Sequence, residues 1–223
     1  MKSKLRFDIL TIFPELFESY LKQGLIDKAL KKKVIEIRLH NIRDFSGNKH
    51  HKVDGAPYGG GAGMIMGVEP IYQCLKSVKK RKKHKVVLLD PRGKRYNQKT
   101  ASRYSKYDQL IFICGRYEGV DERVKELVDE SVSIGDYILS GGEIAALAIV
   151  ESTSRLIKGY LGDPESLKNE TFTQRDKVNR YPQYTKPRNF KLGNKIFTVP
   201  EILFSGDHKK IREWREKNRF NNN

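Results

Sequence analysis

The chain has 223 residues, 38% apolar and 32% charged, with a net charge of +17 and two cysteines, Cys74 and Cys114. That length builds one or two domains with a sizeable core, no apolar run nears the roughly 18 residues of a membrane span, and cysteines outside any Cys-x-x-Cys spacing argue against a zinc ribbon or a disulfide framework. The charge is spread along the chain, 30 basic to 19 acidic residues over 1–160 and 14 to 8 over 161–223, which fits a polyanionic partner, most simply nucleic acid; a lysine-rich source composition is the plain alternative. In chain order, "KLRFDILTIFPELFESYLKQGLIDKALKK" predicts a strand, a Pro14-initiated helix, and a further helical turn or two after Gly24. Asp8 breaks the apolar part of this start and no small-residue cleavage site follows, so it does not read as a secretory signal; reduced thiols in a cytoplasmic protein are expected. "VIEIRLHNI" alternates as a strand, 46–67 is a long glycine-rich loop, and "VEPIYQCLKSVKKRKK" predicts an amphipathic helix ending in a basic run. "HKVVLLD" and "DQLIFICG" read as buried strands flanking a polar helix over 96–107. "GVDERVKELVDE" predicts a helix, "SVSIGDYIL" a strand and loop, and 142–157 a last helix.

Strands alternating with helices predict an α/β domain with a mainly parallel sheet covered on both faces. From about residue 160 the texture turns polar and proline-punctuated, which reads as a linker over 161–180 and a C-terminal domain over 181–223. "SGDHKKIREWREKNRF" predicts its closing helix, capped by Ser205 or Asp207, with Arg212, Arg215 and Arg219 along one face, as a phosphate grip or simply a solvated surface.

Two nucleotide fingerprints are missing: "GGGAGMIMG" lacks a preceding apolar strand, and "GKR" at 93–95 is no P-loop. Three other segments, "LLDPRG", "FICGRYEG" and "SIGDYILSGG", each set a strand end against a glycine-bearing turn. In a parallel sheet such ends meet along one edge, and bare backbone there lets a ligand approach N–H and C=O groups. With Leu89, Ile138 and Leu139 nearby, an adenosine-like ligand is expected; singly, each loop is an ordinary tight turn. Within "CGRYEGVDERV", Tyr117 can stack on a base and Glu118 can accept from a Watson–Crick edge; an ion-paired turn is the plainer reading.

These motifs, with "FPELF" (13–17), "VDGAPYGGGAGM" (53–64), "YPQYTKP" (181–187) and "VPEILFSGDHKKIREWR" (199–215), follow in order over nearly the whole chain, which closely resembles the bacterial tRNA (guanine-N1)-methyltransferases of the SPOUT superfamily. The resemblance implies an α/β fold with a deep trefoil knot and a small helical C-terminal domain. It implies S-adenosylmethionine held bent by the knot loops: Leu89, Asp90, Pro91 and Gly93 on one side, and Gly115, Ile134, Gly135, Asp136, Tyr137, Ile138 and Leu139 on another, with Gly141 and Gly142 beside them. It further implies a homodimer whose active site lies at the subunit interface, tRNA as substrate, and a magnesium requirement. No carboxylate cluster in the sequence places that ion, so no metal ligand is assigned.

The reaction so implied is methyl transfer to N1 of the guanosine just 3′ of the anticodon, in tRNAs where a guanosine precedes it. Neutral guanine N1 carries a proton, so a base must remove it, and a cation must meet the charge that grows on O6. The matching arginine is Arg155; the base position reads "NETFTQ", a glutamate where the family has aspartate, which points to Glu170. Further on, the family's aspartate is replaced by Arg180, and Asp176 in the longer intervening segment is a candidate to share that role. Asp54 and Glu118 match positions that recognise the 5′ neighbour and the target guanosine. The rivals are a non-catalytic RNA-binding protein on the same fold and a related enzyme acting on ribose 2′-oxygen or rRNA.

Overall fold

The computed structural model describes residues 4–162 and 181–219. The chain divides into two compact units, residues 1–162 and 163–223. In the first run β1 (Leu5–Thr11), α1 (Glu18–Leu21), α2 (Gly24–Lys31), β2 (Ile35–Asn41), β3 (Asp54–Gly55), β4 (Ile65–Met66), α3 (Val68–Ser77), β5 (His84–Arg95), α4 (Gln98–Tyr104), β6 (Gln109–Cys114), β7 (Glu130–Ser133) and α5 (Glu143–Ser154).

Five of these strands form one sheet in the order β2-β1-β6-β5-β7, every neighbouring pair parallel. The first part of β5 and all of β6 read as apolar runs because both faces are covered, and every residue of β6 is buried. Phe7, Ile9, Val87, Leu89, Leu110 and Phe112 face α2, α4 and α5, packing on Ile26, Ala29, Tyr104, Ala146 and Ile149. Leu10, Val86, Leu88, Ile111 and Ile113 face α3, packing on Ile71, Cys74 and Leu75.

The structure alters several expectations. Pro14 opens only a 3-10 turn, Pro14–Phe17, before the four-residue α1. The basic run after α3 lies outside the helix: Val78 turns extended and buries its side chain, so the charges fall in the connection to β5 rather than stacking along a helical turn. The segment expected as a helix over 119–130 holds a 3-10 stretch, Glu122–Leu127, that buries only Val124 and so lacks an apolar stripe. β5 runs on past Asp90 to Arg95, with its pairing to β7 interrupted between Leu89 and Lys94.

The described part of the second unit is mixed rather than wholly helical. β8 (Asn189–Leu192) and β9 (Lys195–Thr198) pair antiparallel, Phe190 opposite Phe197, about a turn in which Gly193 takes φ +57°. A 3-10 turn, Glu201–Phe204, leads to α6 (His208–Lys217), whose cap is Asp207: its carboxylate accepts from the Lys209 and Lys210 amides at 3.1 Å.

Candidate active site

Five parallel strands present all their carboxyl ends on one edge, and there the chain opens into a cleft of about 220 Å³. Its walls come from the ends of β5, β6 and β7, the loops that follow them, and the first turn of α5. This is where ligands bind in open parallel sheets.

Local hydrogen bonding holds the three loops together. The Gly142 amide donates to the Gly115 carbonyl at 2.9 Å, which ties the start of α5 to the end of β6. The Arg116–Gly119 turn is stitched to β4 through the backbone: the Glu118 amide donates to the Met64 carbonyl at 3.1 Å, Met66 to Gly119 at 3.0 Å, and Asp121 to Met66 at 2.8 Å. Tyr117, inside that turn, adopts φ +61°, a left-handed conformation few side chains accept, and is half-exposed at the cleft. Ser133 shapes the next loop, its hydroxyl donating to the Gly135 carbonyl at 2.9 Å and accepting from the Gly135 amide at 3.2 Å.

Two glycines are fixed by close approach rather than by φ. A Cβ on Gly142 would lie 2.9 Å from the Cys114 Cα and 3.1 Å from the Leu89 Cβ, with backbone on one side that cannot step aside. A Cβ on Gly93 would strike the Val132 nitrogen and the Ser131 carbonyl, so the return of β5 to β7 needs a bare Cα.

Two acids of the cleft region, Asp90 and Glu143, are held by arginines. Glu143, 1% exposed in the first turn of α5, accepts from Thr11 Oγ1 at 2.8 Å and from Arg116 Nε at 3.0 Å. The Arg116 guanidinium in turn covers the Phe13 ring at 4.7 Å, so the end of β1, the Arg116 turn and α5 share one partly buried ion pair. Burial alone would raise the Asp90 carboxyl; the Arg92 guanidinium and amide that bind it outweigh that and hold it below the usual carboxylate range. Cys114, fully buried beneath the cleft, has its thiol pushed well up by burial and by Glu143, so it is inert.

The cleft brings together Leu89, Asp90, Pro91, Gly115, Tyr117, Glu118, Ile134, Gly135, Tyr137, Ile138, Leu139, Gly141 and Gly142. Gly93 packs behind it on β7, and Asp136 turns outward to pair with Arg95 at 2.8 Å. Asp54 lies in β3, paired with Met66 of β4. Arg155 caps the far end of α5. Glu170, Asp176 and Arg180 lie outside the described residues. Sequence reading passed over Thr11, Ser133 and Glu143; the serine two residues before a glycine, at a strand end, was the available signal for one of them.

The fold and cleft define an α/β protein with an open, glycine-walled cleft at the carboxyl edge of a parallel sheet. The model of the family described as tRNA (Guanine-1)-methyltransferase TrmD matches residues 5–223, and the chain belongs to that family. A tRNA (guanine-N(1)-)-methyltransferase of Dictyoglomus turgidum is 51% identical over 213 residues, covering 96% of this chain and 84% of its own length. One of Carboxydothermus hydrogenoformans is 50% identical, covering 96% and 82%. The crystal structure of a tRNA (m1G37) methyltransferase from Aquifex aeolicus superposes with a TM-score of 0.78 at 41% identity, covering 95% of this chain and 88% of that one.

Proposed function

We propose that the protein methylates N1 of the guanosine immediately 3′ of the anticodon in tRNAs where a guanosine precedes it, and so maintains the reading frame. The observation that carries this is family membership over residues 5–223 together with a cleft of bare backbone at the carboxyl edge. S-adenosylmethionine supplies an electrophilic methyl group when bound. The cleft fits its adenosine part: Ile138 is 81% and Tyr137 54% exposed there, apolar area that an adenine ring would cover, and a side chain at Gly142 would intrude on the Leu89 wall. Asp90, held ionised, and the main chain around Gly115 and Gly135 offer acceptors and donors for ribose and amino acid groups. The return of β5 to β7 across Gly93, with the Gly142–Gly115 bond beside it, supports a trefoil-knotted path for this part of the chain.

The substrate side falls to residues that the cleft lacks. α5 begins at the cleft and runs 12 residues, so Arg155 stands roughly 18 Å along its axis at the other end. That separation supports a homodimer in which one protomer's cleft is completed by Arg155 and Glu170 of its partner. Glu170 accepts the proton from guanine N1, and the Arg155 guanidinium meets the charge that then gathers on O6. Tyr117 and Glu118, at the cleft mouth, stack on and bond to the target guanine, and Asp54 recognises its 5′ neighbour. Residues 161–180 serve as a linker to a tRNA-binding unit over 181–223, and the enzyme works in the cytoplasm. No helix among the described residues is long and apolar enough to cross a membrane. Among the described residues no group of three or more His, Cys, Asp or Glu gathers to hold a metal ion.

Primer extension tests the reading on a tRNA transcript incubated with enzyme and S-adenosylmethionine. N1 methylation blocks the Watson–Crick edge and stops the polymerase at that guanosine. Read-through, as an unmodified base or a ribose 2′-O-methyl would give, overturns it.

A further inference from the structure

The opposite edge of the sheet carries a feature that methyl transfer does not use. Between α3 and β5 the chain reads Lys79-Lys80-Arg81-Lys82-Lys83, five cations in succession. Runs of like charge this dense repel themselves and ordinarily stay loose. Here the run is fastened at several points. The Arg6 guanidinium, 4% exposed, donates to the Lys79 carbonyl and is itself held by Asp8 at 2.7 Å. The Arg81 amide donates to Gln109 Oε1 at 2.6 Å, and the Asp108 amide to the Lys83 carbonyl at 2.8 Å. Arg81 turns inward, donating to the Lys4 and Asp108 carbonyls and pairing with Glu36 at 3.0 Å. Gln109 also donates to Asp8 at 2.7 Å, and His40 bonds the same carboxylate at 2.8 Å, which closes the network.

One cation is thus spent inside, and four project outward. Lys79, Lys80, Lys82 and Lys83 are all exposed. Among the described residues none of the four makes an ion pair; Lys83 lies 5.6 Å over the Tyr107 ring. Lys106, at the end of the α4–β6 turn, adds a fifth exposed amine on the same edge. A buried scaffold that fixes the backbone while its amines stand unpaired is preorganised for a dense polyanion. Ammonium groups bind phosphates as point charges without reading sequence. The loop presents no exposed aromatic or aliphatic anchor of the kind that dominates protein–protein interfaces, which favours phosphate over an acidic protein surface.

We propose that the Lys79–Lys83 loop is an RNA backbone-binding surface, gripping phosphates of the tRNA away from the methylation cleft; this rests on tRNA being the substrate. From His84 to Leu89, β5 separates the two edges by roughly 17 Å. The loop therefore meets a stretch of RNA distinct from the target base, and raises affinity without touching the chemical step.

The test uses the full-length protein with K79Q, K80Q, K82Q and K83Q combined, and a companion in which all four are arginine. Affinity for an unmodified tRNA transcript is measured from about 50 to 200 mM salt, the range over which counterion release is read. Every phosphate left without its amine removes about 0.7–0.9 from the slope of log Kd against log salt, so the four-fold glutamine variant is expected to be shallower by about 3–4. Its affinity for S-adenosylmethionine and its single-turnover rate at saturating tRNA stay at the wild-type level, and the arginine variant keeps the wild-type slope. An unchanged slope in the glutamine variant overturns the proposal, as does an equal drop in both variants, because charge would then not be the cause. Failure of the enzymatic reading shows separately, as absence of methyl transfer by the wild-type enzyme.

Discussion

The two edges of the central sheet solve opposite problems. At the carboxyl edge the chain discards side chains: Gly93 and Gly142 leave bare backbone where strands and loops cross, and Tyr137 and Ile138 stand exposed in an open cleft. At the amino edge it buries polar and charged groups: Arg6, Asp8 and Gln109 are at most 4% exposed and spend their hydrogen bonds on neighbouring backbone and on each other. A site that must admit a ligand keeps its polar main chain free, whereas a site that must hold a loop rigid satisfies every polar atom internally. The contrast also explains where the chemistry comes from. The cleft supplies donors, acceptors and a shaped wall, but its buried acid, Glu143, is already committed to Arg116 and Thr11. In the proposed reaction the groups that handle the guanine's proton and developing charge, Glu170 and Arg155, come from outside the cleft.

The sharpest way to break this contrast is to remove a delivered group. Arg155→Ala should slow single-turnover methyl transfer about 10²–10³-fold, the usual loss when one donor to a developing oxyanion is deleted. Cofactor affinity by titration calorimetry should not move, because Arg155 caps the far end of α5. A rate within about twofold of wild type would show that O6 is stabilised by some other group. The next effect falls on the carboxyl edge itself. Gly93→Ala forces a methyl into the backbone of Ser131 and Val132, and a urea melt should show a loss of about 3 kcal/mol. An unchanged midpoint would mean that β5 rejoins β7 with slack.

The smallest effect belongs to the amino edge and to acid. Burial opposes the Asp8 charge, but hydrogen bonds from His40 and Gln109 and the charge of Arg6 hold its carboxyl below the usual range. Between the ordinary aspartate value, about 4, and that lower value, the unfolded chain takes up a proton that the folded one refuses. Asp8 thus contributes stability above that window, and the contribution fades as pH falls through it. Thermal melts should show Tm dropping in this range, and Asp8→Asn should start lower and flatten the drop. A parallel descent in both proteins would remove Asp8 as the cause.

Much of this was legible in the residues. The apolar runs "VVLL" and "LIFIC" mark strands buried on both faces, and three glycine-bearing strand ends locate the cleft, because parallel topology collects those ends on one edge. Other parts left no local trace. The polar "PRGKR" continues β5 because it pairs again with β7 beyond an interruption, a tertiary event without periodicity. The β8–β9 hairpin is exposed on every residue and only four residues long per strand, so it left a weak trace, although the alternation of Asn189-Phe190-Lys191-Leu192 and the Gly193-Asn194 turn were usable signals. The basic run after α3 looked like the end of a helix; only Val78 turning into the core shows it to be a pinned loop. Arg155 has no distinguishing local pattern, and Glu170 was reached through resemblance alone.

The claim that the cleft binds while separate residues perform the chemistry is tested most directly with Glu170→Gln. Single-turnover methyl transfer to a tRNA transcript should fall about 10²–10⁴-fold, as loss of a general base requires, while S-adenosylmethionine binding stays at the wild-type level. A near wild-type rate in that variant, or loss of cofactor binding along with the rate, would contradict the account.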